Sequence, residues 1–82
     1  MQVTINISLK EGVLDPEGRA VETSLQSLGF DDASNVRIGK QITLSIDAED
    51  AKRAKQRAAR MCDSLLINTV IEDYSIEVNE EE

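Results

Sequence analysis

One cysteine, Cys62, and no histidine bound the chemistry open to this chain. Without histidine, the commonest general base and metal ligand is missing. A lone cysteine builds neither a Cys-His pair nor a zinc set. Its place next to Met61, on the apolar flank of a helical pattern, marks it as a small core residue. Gly39-Lys40 is not a phosphate loop, because it lacks the glycine spacing and the Ser or Thr after the lysine. Glu72-Asp73 looks like a paired carboxylate, yet neighbours in extended chain point to opposite faces. A turn or a solvated strand edge explains that pair more simply. The remaining chemistry is charge. Arg37 and Lys40 flank Gly39, and they are the better candidates for contact with a protein partner or a phosphate. Lys52, Arg53, Gln56, Arg57 and Arg60 lie opposite the alanines of a helical pattern. Arg53 and Arg57, four residues apart, repel slightly, so this face suits an acidic partner, although a solvated face is the plainer reading. No catalytic, cofactor-binding or metal-binding residue is expected on this chain.

These side chains must be positioned by a short series of elements. Val3, Ile5, Ile7 and Leu9 alternate with Thr4, Asn6, Ser8 and Lys10, the period-two pattern of a strand. Its polar face is almost uncharged. A wet sheet face is the ordinary account, and a subunit contact is the alternative, since such groups are covered at lower desolvation cost than charges. Asp15-Pro16 starts a helix over about 16–28: Asp accepts from the free first N–H groups, and Pro at the first helical position loses nothing there. Val21, Leu25 and Leu28 form its stripe, and Gly29 ends it. Gly18 in its first turn costs up to about 1 kcal/mol relative to Ala. Tolerance of an end position explains it better than close approach of another backbone.

Val36, Ile38, Ile42, Leu44 and Ile46 all fall at even positions. A two-residue hairpin at Gly39-Lys40 would split them between faces, whereas one strand over 36–46 keeps them together. One long strand kinked at Gly39 is therefore expected, with a loop at 39–41 as the alternative that keeps the phase. Asp47 caps a second helix that runs to Leu66, with Ala51, Ala54, Ala58, Met61 and Leu65 on its buried stripe. Tyr74, Ile76 and Val78 form a last strand, and 79–82 a frayed acidic tail. The order is β-α-β-α-β, or β-α-β-β-α-β if the central strand splits. That is a two-layer α+β fold, an antiparallel sheet with two helices on one face.

Eighty-two residues make one domain, 1–82. A domain this small is marginal alone, and its only aromatics are Phe30 and Tyr74. The thin aliphatic core favours self-association. A formal charge of −7 argues against nucleic acid, which needs a basic surface and stacking aromatics. No apolar run exceeds three residues, far short of the roughly 20 of a membrane span. With a single cysteine and no charged-then-apolar leader, a cytoplasmic location is expected.

Three segments carry a more specific message: Leu14-Asp15-Pro16-Glu17-Gly18, Val36-Arg37-Ile38-Gly39-Lys40 and Val70-Ile71-Glu72-Asp73-Tyr74. In this order and spacing the chain resembles the PurS family, the small subunits of bacterial and archaeal phosphoribosylformylglycinamidine (FGAM) synthase. The resemblance runs from about 3 to 78. One departure is Thr69, where many relatives have proline. The resemblance implies a subunit without an active site, cofactor or metal of its own. It would self-associate as a dimer or tetramer and bridge two partners. One is a ligase subunit using ATP, magnesium and formylglycinamide ribonucleotide, and the other is a glutaminase subunit that releases ammonia. Residue by residue, the basic pairs Arg37 and Lys40, and Arg53 and Arg57, are the candidates for partner contact. Two other readings fit the residues less well: a free-standing ACT-like domain binding a small metabolite, and an RNA-associated module using the basic helix.

Overall fold

Alternation writes the sheet directly. In the computed structural model, which describes residues 1–79, strand β1 (Gln2–Leu9) is central and antiparallel to both β2 (Lys40–Ser45) and β3 (Glu72–Asn79). Val3 pairs with Leu44 and Val78, and Ile5 with Ile42 and Ile76. One face of the sheet is therefore aliphatic. On the other face the polar groups satisfy one another laterally. Gln41 Nε2 donates to Asn6 Oδ1 at 2.9 Å, and Asn6 Nδ2 donates to Glu77 Oε2 at 3.0 Å. Helix α2 (Ala51–Met61) lies against the aliphatic face through Ala54 and Ala58, which are fully buried with Val3, Ile5 and Cys62. Alanine at these positions lets the helix backbone sit close to β1 and β3. The expected order β-α-β-α-β and the antiparallel sheet are present, with a single strand, β2, between the two helices in sequence.

Four expectations need correction. First, the strand covers only 40–45, and Val36 and Ile38 lie outside the sheet. Asn35 is left-handed at φ 56°, which breaks an extended run before Val36. The next N–H groups then go to side chains instead of a ladder: Val36 N–H to Glu22 Oε1 at 3.1 Å, Ile38 N–H to Asp15 Oδ2 at 2.8 Å. Second, Asp50 and not Asp47 caps α2, its Oδ1 accepting from the Arg53 N–H at 2.8 Å. Third, the α-helix ends at Met61 and passes into a five-residue π-helical turn, Cys62–Leu66, closed by Ile67 N–H to Cys62 O at 3.2 Å. The wider turn advances the stripe, so Leu65 is 83% exposed while Cys62 is buried.

Fourth, the two helices do not share the sheet face. Helix α1 (Pro16–Ser27) is capped by Asp15 and followed by left-handed Gly29, as expected, but it approaches no other helix or strand closely. It projects from a flat, elongated molecule of 50 × 29 × 14 Å, and its only buried residue is Gly18. Of the predicted tail, Asn79 closes β3, and the remainder lies outside the described residues.

Candidate functional site

The three segments that carry the family resemblance meet at one end of the sheet. They line a shared pocket with Asp15, Pro16, Ile38, Gly39, Lys40 and Glu72. Asp15 is the first hub. It is 5% exposed, and its Oδ1 accepts from Gly18 N–H at 2.8 Å while Oδ2 takes the Ile38 N–H. The cap of α1 is thus also the anchor of the loop before β2. Glu72 is the second hub, 8% exposed. Its Oε1 accepts from Asn68 N–H at 2.8 Å, and its Oε2 lies 3.2 Å from Lys40 Nζ. Glu72 and Asp73 do point to opposite sides, Asp73 pairing with Lys10 at 3.2 Å. Solvation does not describe Glu72, which is the buried end of a cross-strand ion pair.

Glycine makes these approaches possible. A Cβ on Gly39 would stand 2.6 Å from the Ile7 carbonyl oxygen, and one on Gly18 would collide with the Val36 carbonyl oxygen. Both glycines mark backbone packed on backbone. This replaces the readings of Gly18 as a tolerated end position and Gly39 as a kink.

Of the four candidate contact residues, two sit at this junction. Arg37 Nε lies 3.9 Å from Asp15 Oδ2, and its Nη2 donates to Lys10 O at 3.3 Å. Lys40 reaches Glu72 but keeps two thirds of its side chain in solvent. Both cations therefore have internal partners and an outward face. Leu14, Ile38 and Val70, one from each segment, also stand exposed beside the charges in sequence. Arg53 and Arg57 belong instead to the outer face of α2, where Arg53 Nη1 lies 4.0 Å from Glu49. Sequence reasoning missed both hubs. Asp15 was legible as a cap, but its second carboxylate oxygen, which fixes Ile38, was not. Among the described residues no group of His, Cys, Asp or Glu is arranged to hold a metal. Burial pushes the Cys62 thiol upward, with Asp63 adding to the effect, so the thiolate is disfavoured.

The hubs make the fold acid-sensitive. The Ile38 and Gly18 N–H groups hold the Asp15 carboxyl below the usual carboxylate range, against the effect of burial and with help from Arg37. The Asn68 N–H and then Lys40 do the same for Glu72. A carboxylate with a lowered folded pKa adds stability that is present above its unfolded pKa of about 4 and is lost as pH falls through the folded value. The melting temperature should therefore hold from pH 7 to about 5 and drop below about 4. Asp15→Asn should melt lower at neutral pH and show a shallower acid limb, read by circular dichroism across pH. An unchanged acid limb would remove Asp15 from this role.

Comparison with known proteins agrees with this geometry. The family model PurS, described as phosphoribosylformylglycinamidine (FGAM) synthase, matches residues 2–80. The phosphoribosylformylglycinamidine synthase subunit PurS of Synechocystis sp. is 51% identical over 74 residues, covering 90% of this chain and 74% of that protein. The crystal structure of Methanocaldococcus jannaschii PurS superposes with a TM-score of 0.91 at 40% identity. That match covers 99% of this chain and 98% of the other. A chain in the structure of PurLQS from Thermotoga maritima superposes at 0.85 with 29% identity, covering 93% of each. With the three motif segments joined through Asp15 and Glu72, and the match running almost end to end, this chain belongs to the PurS family of FGAM synthase subunits.

Proposed function

We propose that this chain is the non-catalytic assembly subunit of FGAM synthase in purine biosynthesis. It joins a ligase subunit, which uses ATP and magnesium, to a glutaminase subunit, so that ammonia passes between them. The observation that carries the reading is family membership over nearly the whole chain, supported by the likeness to a chain of PurLQS. The chain acts as one domain over 1–82. Arg37 and Lys40 at the sheet end, with Arg53 and Arg57 on α2, contact the partner subunits. Exposed aliphatic and cationic groups side by side suit such a contact, because apolar anchors supply affinity and charge supplies register. No helix among the described residues is long and apolar enough to cross a membrane, and the complex works in the cytoplasm. The free-standing metabolite-binding domain gives way to this reading.

Reconstitution tests it. Ligase and glutaminase subunits should make FGAM from glutamine only when this chain is added. Synthesis from ammonium salts should need the ligase subunit alone, and this chain by itself should show neither ATPase nor glutaminase activity. A full glutamine-dependent rate without it would overturn the bridging role.

A further inference from the structure

Helix α2 carries its charges where its own stability disfavours them. Five of the nine basic residues, Lys52, Arg53, Lys55, Arg57 and Arg60, fall within Ala51–Met61, and no acidic residue does. The rest of the chain therefore holds four basic residues against sixteen acidic ones. All five cations of α2 are exposed. Lys52 and Arg53 stand in the first turn, at the positive end of the helix dipole, where carboxylates are the favoured residues. Arg53 and Arg57 repel at a spacing of four, and Arg57 and Arg60 at a spacing of three. Among the described residues, the only ion pair on this face is that of Arg53 with Glu49, at 4.0 Å. Asp50 lies at its edge, but its carboxylate is taken by the cap. Elsewhere Lys10, Arg37 and Lys40 each sit against a carboxylate. A row of like charges that gains so little inside the chain is suited to a partner of opposite sign.

Shape narrows the partner. Lys52, Arg53, Gln56, Arg57 and Arg60 line one shallow depression along the outside of α2. From Lys52 to Arg60 the row runs about 12 Å, at about 1.5 Å per residue. A single phosphate would meet one or two of these cations, whereas a helix bearing carboxylates a turn apart meets the whole row. No aromatic residue stands in α2 to stack a base. The face also differs from the sheet end. There exposed Leu14, Ile38 and Val70 accompany Arg37 and Lys40, while here no large apolar side chain accompanies the charges. A bridge needs two surfaces that can be filled at once. With Ala54 and Ala58 turned in to the sheet, α2 turns this row outward, away from the cluster at the sheet end. We propose that the outer face of α2 docks an acidic helix of the glutaminase subunit, leaving the sheet end to the ligase subunit. A contact made of charge without apolar anchors is steered into register over a distance and weakened by salt.

The inference rests on the bridging role proposed above and divides its two contacts. The test is calorimetric titration of the glutaminase subunit into the complex of this chain with the ligase subunit. Arg53→Gln with Arg57→Gln should weaken glutaminase binding at least tenfold and leave ligase binding unchanged. The same variant should melt no lower than the parent, because repulsion along α2 and the unfavourable charge in its first turn are relieved. A second measurement needs no variant. Raising NaCl from about 0.1 to about 1 M shortens the Debye length from about 10 to about 3 Å, and should weaken the unaltered contact at least tenfold. The double variant should lose most of that salt dependence. Unchanged glutaminase binding in the variant, or a contact insensitive to salt, would overturn the docking and leave the row a solvated face. Loss of the ligase subunit instead of the glutaminase would overturn the division of contacts. Altered self-association of the variant in sedimentation would overturn it in favour of a second copy as the acidic partner. An unaltered complex that binds no glutaminase at all would overturn the bridging role itself.

Discussion

Replacing Gly18 with alanine should destabilise this protein, although alanine is the better helix former by about 1 kcal/mol. The sign reverses because the new Cβ would collide with the Val36 carbonyl oxygen and would also press on the Asp15 carboxylate, 2.9 Å from its Oδ2. The nearest obstacle is backbone, which cannot turn aside as a side-chain end can. Forcing a methyl group into packed space costs about 1–3 kcal/mol. In a domain of this size each kcal/mol lowers the melting temperature by roughly 4–8 °C. Gly39→Ala should behave alike, with the Ile7 carbonyl oxygen of the central strand 2.6 Å from its Cβ. Ala20→Gly, on the exposed side of α1, supplies the ordinary comparison and should cost only the usual propensity difference. A Gly18→Ala protein that melts higher than the parent would mean that α1 and the Val36 loop do not keep this contact in solution.

Alanine at both Arg37 and Lys40 should weaken binding to the ligase subunit at least tenfold. Truncating a charged side chain that is paired across an interface costs on the order of 2–5 kcal/mol, and tenfold is about 1.4 kcal/mol. Ordinary surface positions shift stability by about 0.5 kcal/mol or less. These two are not ordinary, since their removal leaves the buried carboxylates of Asp15 and Glu72 without their cations. The double variant should therefore also melt lower at neutral pH, and the deficit should shrink in acid as both carboxylates are protonated. Exchanging the charges conservatively, Arg37→Lys with Lys40→Arg, separates the effects. It keeps the internal pairing and thus the stability, so any weakening of binding reports on the interface. Calorimetric titration well below the melting temperature measures it. Unchanged affinity in the double alanine variant would make the pair a structural clamp and move attention to Arg53 and Arg57.

The resemblance lay in three segments far apart in sequence, and the structure supplies their physical connection. Asp15 bonds Ile38, and Lys40 pairs with Glu72. Each segment was readable alone as a cap, a strand or a turn, because those are local patterns. Their meeting depends on the second oxygen of each carboxylate reaching another part of the chain, which composition and spacing do not encode.

The sequence by itself determined the strands at both ends, the start of α1 at Asp15-Pro16, its stop at Gly29, and a buried Cys62. Alternation, capping and helix termination act over a few residues, so they survive whatever the rest of the chain does. Only the tertiary structure decided the course of 36–39. Even-numbered apolar residues fit a strand and a loop equally well, and side-chain carboxylates, not a partner strand, took the free N–H groups. It alone decided the π-helical turn that exposes Leu65, and the place of α1. Periodicity shows that a helix has an apolar stripe, but which surface covers that stripe depends on competition among all the faces available. In a sheet whose nearer half α2 already occupies, with α1 tethered at the far end by Asp15 and Gly18, its own chain leaves that stripe uncovered.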